Sequence, residues 1–320
     1  MRRAKAFLIA GLITCAVAPA RAQSCCTATG SNEFGVVGPR HLAVLAAQIA
    51  YDHGFGSFDA KGNYAQLDNA EVDDVTFTLG GGVRLGTPLL QLHGLVPLKL
   101  QHRELQGLPG ETRGGLADVS LTLRATLLED GATGIDASRS ESFVPTLEPF
   151  VGVRAPTGRS PSNSETPSQA DVTGDGAWAA VAGLSVTKYV TRREAVLLGA
   201  SYARRFPHDV KSAGGKSLRF TPGDEIDARL GLLHVFDLHW SAQLGATGRW
   251  TLPASSDGEE APGSDTRRIR FVAGLSHFLT YPELQLTASL TGDPPIDGIG
   301  KQVPFAGMTA AIGVQRNFVK

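Results

Sequence analysis

The sequence predicts an all-β protein, a transmembrane up-and-down antiparallel β-barrel of about 12 strands, with roughly 10 to 14 compatible with the pattern. Three observations predict it. From His41 onward the chain breaks into segments of about ten residues in which apolar and polar side chains alternate. Long polar connections alternate with short tight ones. The one pronounced apolar run lies at the very start, which excludes a bundle of transmembrane helices, each needing about 20 apolar residues.

Composition agrees with this. Glycine supplies 38 of 320 residues, above the usual ~7%, and suits close strand contacts, bends and loops. A mean hydropathy of −0.04, with 42% hydrophobic residues, is what two unlike faces average to. The 30 Lys+Arg against 31 Asp+Glu leave a net charge of −1, so no electrostatic feature points to a nucleic-acid partner.

Met1 to Ala22 has the form of a signal peptide: Arg2, Arg3 and Lys5, an apolar stretch from Ala6 to Ala18, then Pro19 and the small-residue site Ala20-Arg21-Ala22. Cleavage after Ala22 leaves a mature N-terminal segment, 23–39, and a barrel, 40–320. Cys15 falls in the signal. Cys25 and Cys26 are adjacent, and Cα atoms ~3.8 Å apart across a trans peptide are too close for an unstrained disulfide. A plain terminus, a thiol pair for metal or redox chemistry, and lipidation remain alternatives for them, although Ala22-Gln23-Ser24 is a poor lipobox.

The strands are expected at 40–51, 73–86, 88–102, 117–129, 146–155, 177–190, 195–205, 225–236, 238–250, 267–279, 283–291 and 307–318. Leu238 to Trp250 shows the alternation most clearly: Leu238, Trp240, Ala242, Leu244 and Ala246 against His239, Ser241, Gln243 and Thr247. One face suits hydrocarbon and the other water. The same alternation would also serve a soluble sandwich, whose apolar side is a core, so the loop rhythm provides the second test. Gly86-Thr87-Pro88, Thr191-Arg192-Arg193 and Thr280-Tyr281-Pro282 are tight turns, whereas 156–171 and 254–260 are long and polar. That rhythm places both chain ends on the periplasmic side. The connection 130–145 is longer than a periplasmic turn should be. Gly80-Gly81-Gly82 suits a bend or bulge in the second strand, and Pro97, which lacks a ladder donor, also points to a bulge. Ala310, Ile312, Val314 and Phe318 share one face of the last strand, like the segment by which such barrels are recognised for assembly.

Dedicated catalytic chemistry is not evident. Gly80-Gly81-Gly82 is followed by Val83 and Arg84, without a phosphate-loop lysine, and Gly199-Ala200-Ser201-Tyr202-Ala203 is not a nucleophile elbow. No His-x-x-x-His or Cys-x-x-Cys spacing implies a metal, no Asp-x-Asp-x-Asp-Gly loop implies calcium, and no cofactor is expected. A hydrolytic site assembled from distant strands stays open, with His93, His239 and Ser241 on the polar side. The polar faces instead carry arginine. Arg124, Arg154, Arg229, Arg249, Arg268 and Arg270 are the expected lumen-lining residues, with His93 and His239, and with Glu148, Asp118, Asp227 and Glu283 as acidic partners. Such charges either fill a narrow barrel or set the selectivity of a wider one.

Several segments together resemble the outer-membrane barrel family named for the meta-pathway of phenol degradation. Gly115-Leu116-Ala117-Asp118-Val119 is similar to its Gly-x-Gly-Asp-Val strand opening, with Ala117 in place of the second Gly. Val153-Arg154-Ala155-Pro156-Thr157-Gly158 is similar to its strand ending in Pro-Thr-Gly. Gly174-Asp175-Gly176-Ala177-Trp178 and Thr221-Pro222-Gly223-Asp224 resemble its strand entries. The resemblance spans roughly residues 70 to 320. It implies a channel for small, often hydrophobic molecules in the outer membrane. The expected partners are outer-membrane lipids, the barrel-assembly machinery and a small solute; an outer-membrane hydrolase and a non-conducting structural barrel are the alternatives.

Overall fold

A computed structural model describes residues 36–37, 41–68, 70–87, 89–105, 107–131, 134–211 and 217–319. The expected signal 1–22 and the Cys25-Cys26 pair lie outside the described residues. Twelve strands form the wall: β1 His41–Phe58, β2 Glu71–Arg84, β3 Leu90–Glu104, β4 Val119–Ala125, β5 Thr146–Ala155, β6 Ala179–Tyr189, β7 Glu194–Arg205, β8 Glu225–Val235, β9 Trp240–Thr251, β10 Thr266–Thr280, β11 Leu284–Gly292 and β12 Val303–Val319. Each pairs antiparallel with its chain neighbours, and β12 returns to β1 from His41↔Val319 to Phe58↔Val303, so the sheet closes without an edge.

Closure decides between barrel and sandwich. The apolar members of each alternation point out of a single-layer wall: Leu244 is 63% exposed, Ile312 65% and Leu232 60%. In a sandwich these would be core. A continuous belt of exposed Leu, Ile, Val and Phe is what hydrocarbon must cover. Ala310, Ile312, Val314 and Phe318 of β12 all belong to this outer face.

The short connections 85–89, 190–193, 236–239 and 281–283 lie at one end with the described chain termini. The connection 126–145 lies at that end too. Its length is taken up by a 3-10 turn at Ser140–Phe143, whose Ser142 hydroxyl donates to the Asp136 carbonyl at 2.7 Å.

Two local expectations need correction. No bulge occurs at Gly80-Gly81-Gly82, since register runs unbroken through them on both neighbours; the irregularities fall instead at His41/Ala43 and near Gly54 and Gly56 of β1 and at Phe278/Thr280 of β10. Pro97 makes no bulge either: it stays in register opposite Thr78 on β2. On its other side the partner strand is interrupted. Residues 120–125 pair with β3 below Pro97, a short strand Glu111–Leu116 pairs above it, and the break between them falls opposite the missing N–H. The Pro97 carbonyl still accepts the Ala117 N–H at 2.8 Å.

Candidate functional site

Inward positions of the twelve strands define a lumen with two unlike halves. Toward the long loops it holds a cavity of about 460 Å³, lined by Arg229, Arg249, Arg268 and Arg270, by Asp52 and Asp227, and by the hydroxyls of Thr76, Thr78, Thr247, Ser289, Thr291 and Thr309. Arg249 Nε donates to Asp227 Oδ1 at 2.7 Å, and Arg268 grips Asp293 through Nε and Nη2 at 2.8 and 2.6 Å. Arg270 reaches across the β11 and β12 wall to Thr309 Oγ1 at 2.7 Å and to Asp52 at 3.5 Å. Arg229 Nη2 donates to Ser185 Oγ at 2.6 Å. A Cβ on Gly199 would fall 2.2 Å from Arg229 Nε, so the glycine is what lets that guanidinium lie against the wall.

Toward the short turns the inward side chains are packed and buried. Tyr189, Ala195, Leu197, Leu233 and Val235, all inward on β6 to β8, form an apolar cluster. The most deeply buried large side chains among the described residues collect at this same end: Gln91, Gln285, Asn317, Ser276 and Val37. Val37 precedes β1, yet it is 2% exposed and its N–H donates to Gln91 Oε1 at 2.9 Å, so the chain enters the barrel before it joins the wall.

The remaining expected residues sort by height. Arg124 is buried, pairing with Glu148 at 3.3 Å, donating to Ser185 Oγ at 3.2 Å and lying over the Phe150 ring at 5.1 Å. His93 is buried on the inner face of β3. Arg154 pairs with Asp175 at 3.0 Å and Glu225 at 3.1 Å near the long-loop end.

Four expectations are corrected. His239 lies in the turn 236–239, exposed beside His277 and Tyr281, because the strand starts at Trp240; it lines the rim and not the lumen. Glu283 is likewise an exposed turn residue whose carbonyl accepts the Asn317 N–H at 2.6 Å. Asp118 serves no lumen arginine as its main contact: its carboxylate accepts the N–H groups of Gly158 at 3.0 Å and Asp175 at 2.8 Å, pinning both ends of the loop 156–178. Nor does Ser241 meet a histidine, since its hydroxyl shares a 2.7 Å hydrogen bond with Ser276.

That loop folds against the inner face of the short strand Glu111–Leu116. Thr173 Oγ1 donates to the Leu116 carbonyl at 2.7 Å, Thr157 Oγ1 to that of Ala117 at 2.6 Å, and Ser168 bonds Glu111. Asp171 is its hub. Burial pushes the carboxyl up, but the Glu165 N–H, the Ser164 hydroxyl, the Arg159 guanidinium and the Thr166 hydroxyl together hold it well below the usual carboxylate range.

Sequence reasoning missed Asp52, Asp293 and the packed floor. Asp52 has the inward parity of β1 and lies just past the strand end expected at residue 51. Asp293 lies in a loop, and only the third dimension brings it to Arg268 and Arg270.

No protein-family model matches the sequence, and no curated protein sequence does. Among solved structures, the COG4313 outer membrane channel from Pseudomonas putida F1 superposes with a TM-score of 0.69 over 91% of this chain and 100% of that one, at 16% identity. NanC porin gives 0.43 at 8% identity over 85% and 98%, and the CymD monoaromatic hydrocarbon channel 0.37 at 12% over 88% and 88%, both too low to carry an argument. The chain therefore has the fold of an outer-membrane β-barrel.

Proposed function

We propose that the protein is an outer-membrane channel that admits small polar anions from the long-loop side. The observation that carries this reading is the cavity lining, four arginines against Asp52, Asp227 and the adjoining Asp293, which pairs with Arg268 and Arg270. Within a low-dielectric wall, a ring of such charges selects the sign of the permeating ion. The packed short-turn half makes the resting lumen a chamber with a floor, so passage needs the floor to yield. Export by the signal 1–22 and insertion by the assembly machinery through β12 complete the reading.

The test is a reversal-potential measurement on detergent-purified protein in planar bilayers under a KCl gradient. Anion preference is expected. Cation preference overturns the selectivity, and the absence of any conductance in correctly folded protein leaves a structural barrel.

A further inference from the structure

We infer that the outer wall carries a site for a divalent transition-metal cation, formed by Glu71 of β2 and His102 and Glu104 of β3. All three have outward parity at the long-loop end, outside the lumen, so the inference is independent of the channel reading. One ligand atom from each, an imidazole nitrogen and two carboxylate oxygens, lie within 4.8 Å of one another. Glu71 and Glu104 are directly opposite in the ladder, an unfavourable pairing of like charges that a bound cation would reverse.

The imidazole is set for ligation by a group outside the cluster. His102 Nδ1 lies 2.8 Å from Thr112 Oγ1 on the strand Glu111–Leu116, which holds the ring; with Nδ1–H donating to that hydroxyl, Nε2 is the ligand atom of the proposed site. Gly110, in the turn above, leaves this space open: a Cβ there would sit 3.6 Å from Glu104 Oε2 and 3.8 Å from His102 Cε1, filling space beside both ligands. The neighbouring outward carboxylate, Asp73, is engaged by His53 Nδ1 at 2.7 Å and the Tyr51 hydroxyl at 2.8 Å. A nitrogen with two carboxylates favours zinc-like ions over magnesium or calcium, and three protein ligands leave a coordination position for water or an external donor.

Calorimetric titration of the folded, detergent-purified protein with ZnCl2 alone tests this. One zinc per chain is expected, with affinity reduced about tenfold or more by His102→Ala and by Glu104→Gln, and about tenfold by Thr112→Val, which removes only the orienting hydroxyl. Heat-dependent gel mobility verifies that each variant retains the barrel. An isotherm unchanged in His102→Ala overturns the site. Loss of binding in His53→Ala instead overturns it as well, placing the ion on the His53 and Asp73 pair, and CaCl2 binding as tightly as zinc overturns the assignment to a transition metal.

Discussion

The two halves of the lumen are built on the same strands yet are opposite in character. β8 shows it within a few residues: Asp227 and Arg229 face the wet cavity, and Leu233 and Val235 face the packed floor. β6 and β7 change likewise, with Gly199 making room for a guanidinium and Tyr189, Ala195 and Leu197 packing tightly. A barrel wall prescribes which residues point inward; the side-chain volumes at each height decide whether the interior is a passage or a core. Selectivity and closure are thus separable along one axis.

Four measurements would break or sharpen that separation. The largest effect is expected at the floor, where Leu233→Ala should raise single-channel conductance several-fold while costing about 2–5 kcal/mol of stability, read by bilayer recording and by the gel-mobility transition temperature. Unchanged conductance would show that closure lies elsewhere. Next, Arg249→Glu should abolish or invert anion preference without opening the floor, because a unit charge about 4 Å from a passing ion is worth about 4 kcal/mol at an effective dielectric of about 20. Arg249→Gln should produce a smaller shift of the same sign. On the outer face, Leu244→Arg should cost about 2–4 kcal/mol near the bilayer midplane and leave the reversal potential alone, showing that the selectivity belongs to the inner face only.

The smallest effect is expected at the mouth. Asp171→Asn should increase proteolysis of the loop 156–178 with little change in folding of the wall. Since the folded Asp171 pKa is depressed, its stabilisation is fully present above the unfolded carboxylate value and is lost progressively as pH falls from there through the lower folded one. Loop protection in the unsubstituted protein should therefore be flat from about pH 5 to 8 and fall only in strong acid.

Much of the wall was legible because its signal is local. Alternation in Leu238 to Trp250 and the tight turn Thr191-Arg192-Arg193 can be recognised from adjacent residues alone. Each of the twelve strands falls where alternation places it, although β1 continues to Phe58 and β4 stops at Ala125. The site was less legible. Arg249 and Arg270 follow from parity, but His239 and Glu283 were misjudged because a turn abolishes the parity of the strand beside it. A search for ligand spacing along the chain could not bring Glu71 to His102, since a ladder register joins them across 31 positions of sequence.

The sequence by itself determined the fold class, the strand order and the two faces, because period-two patterning and turn chemistry act between neighbours. Only the tertiary structure decided which inward residues share a height, where the floor lies, that Val37 enters the barrel, and that Asp118 clips a loop. Those outcomes depend on the register of closure between β1 and β12 and on side-chain volumes meeting inside the ring, quantities that no single strand contains.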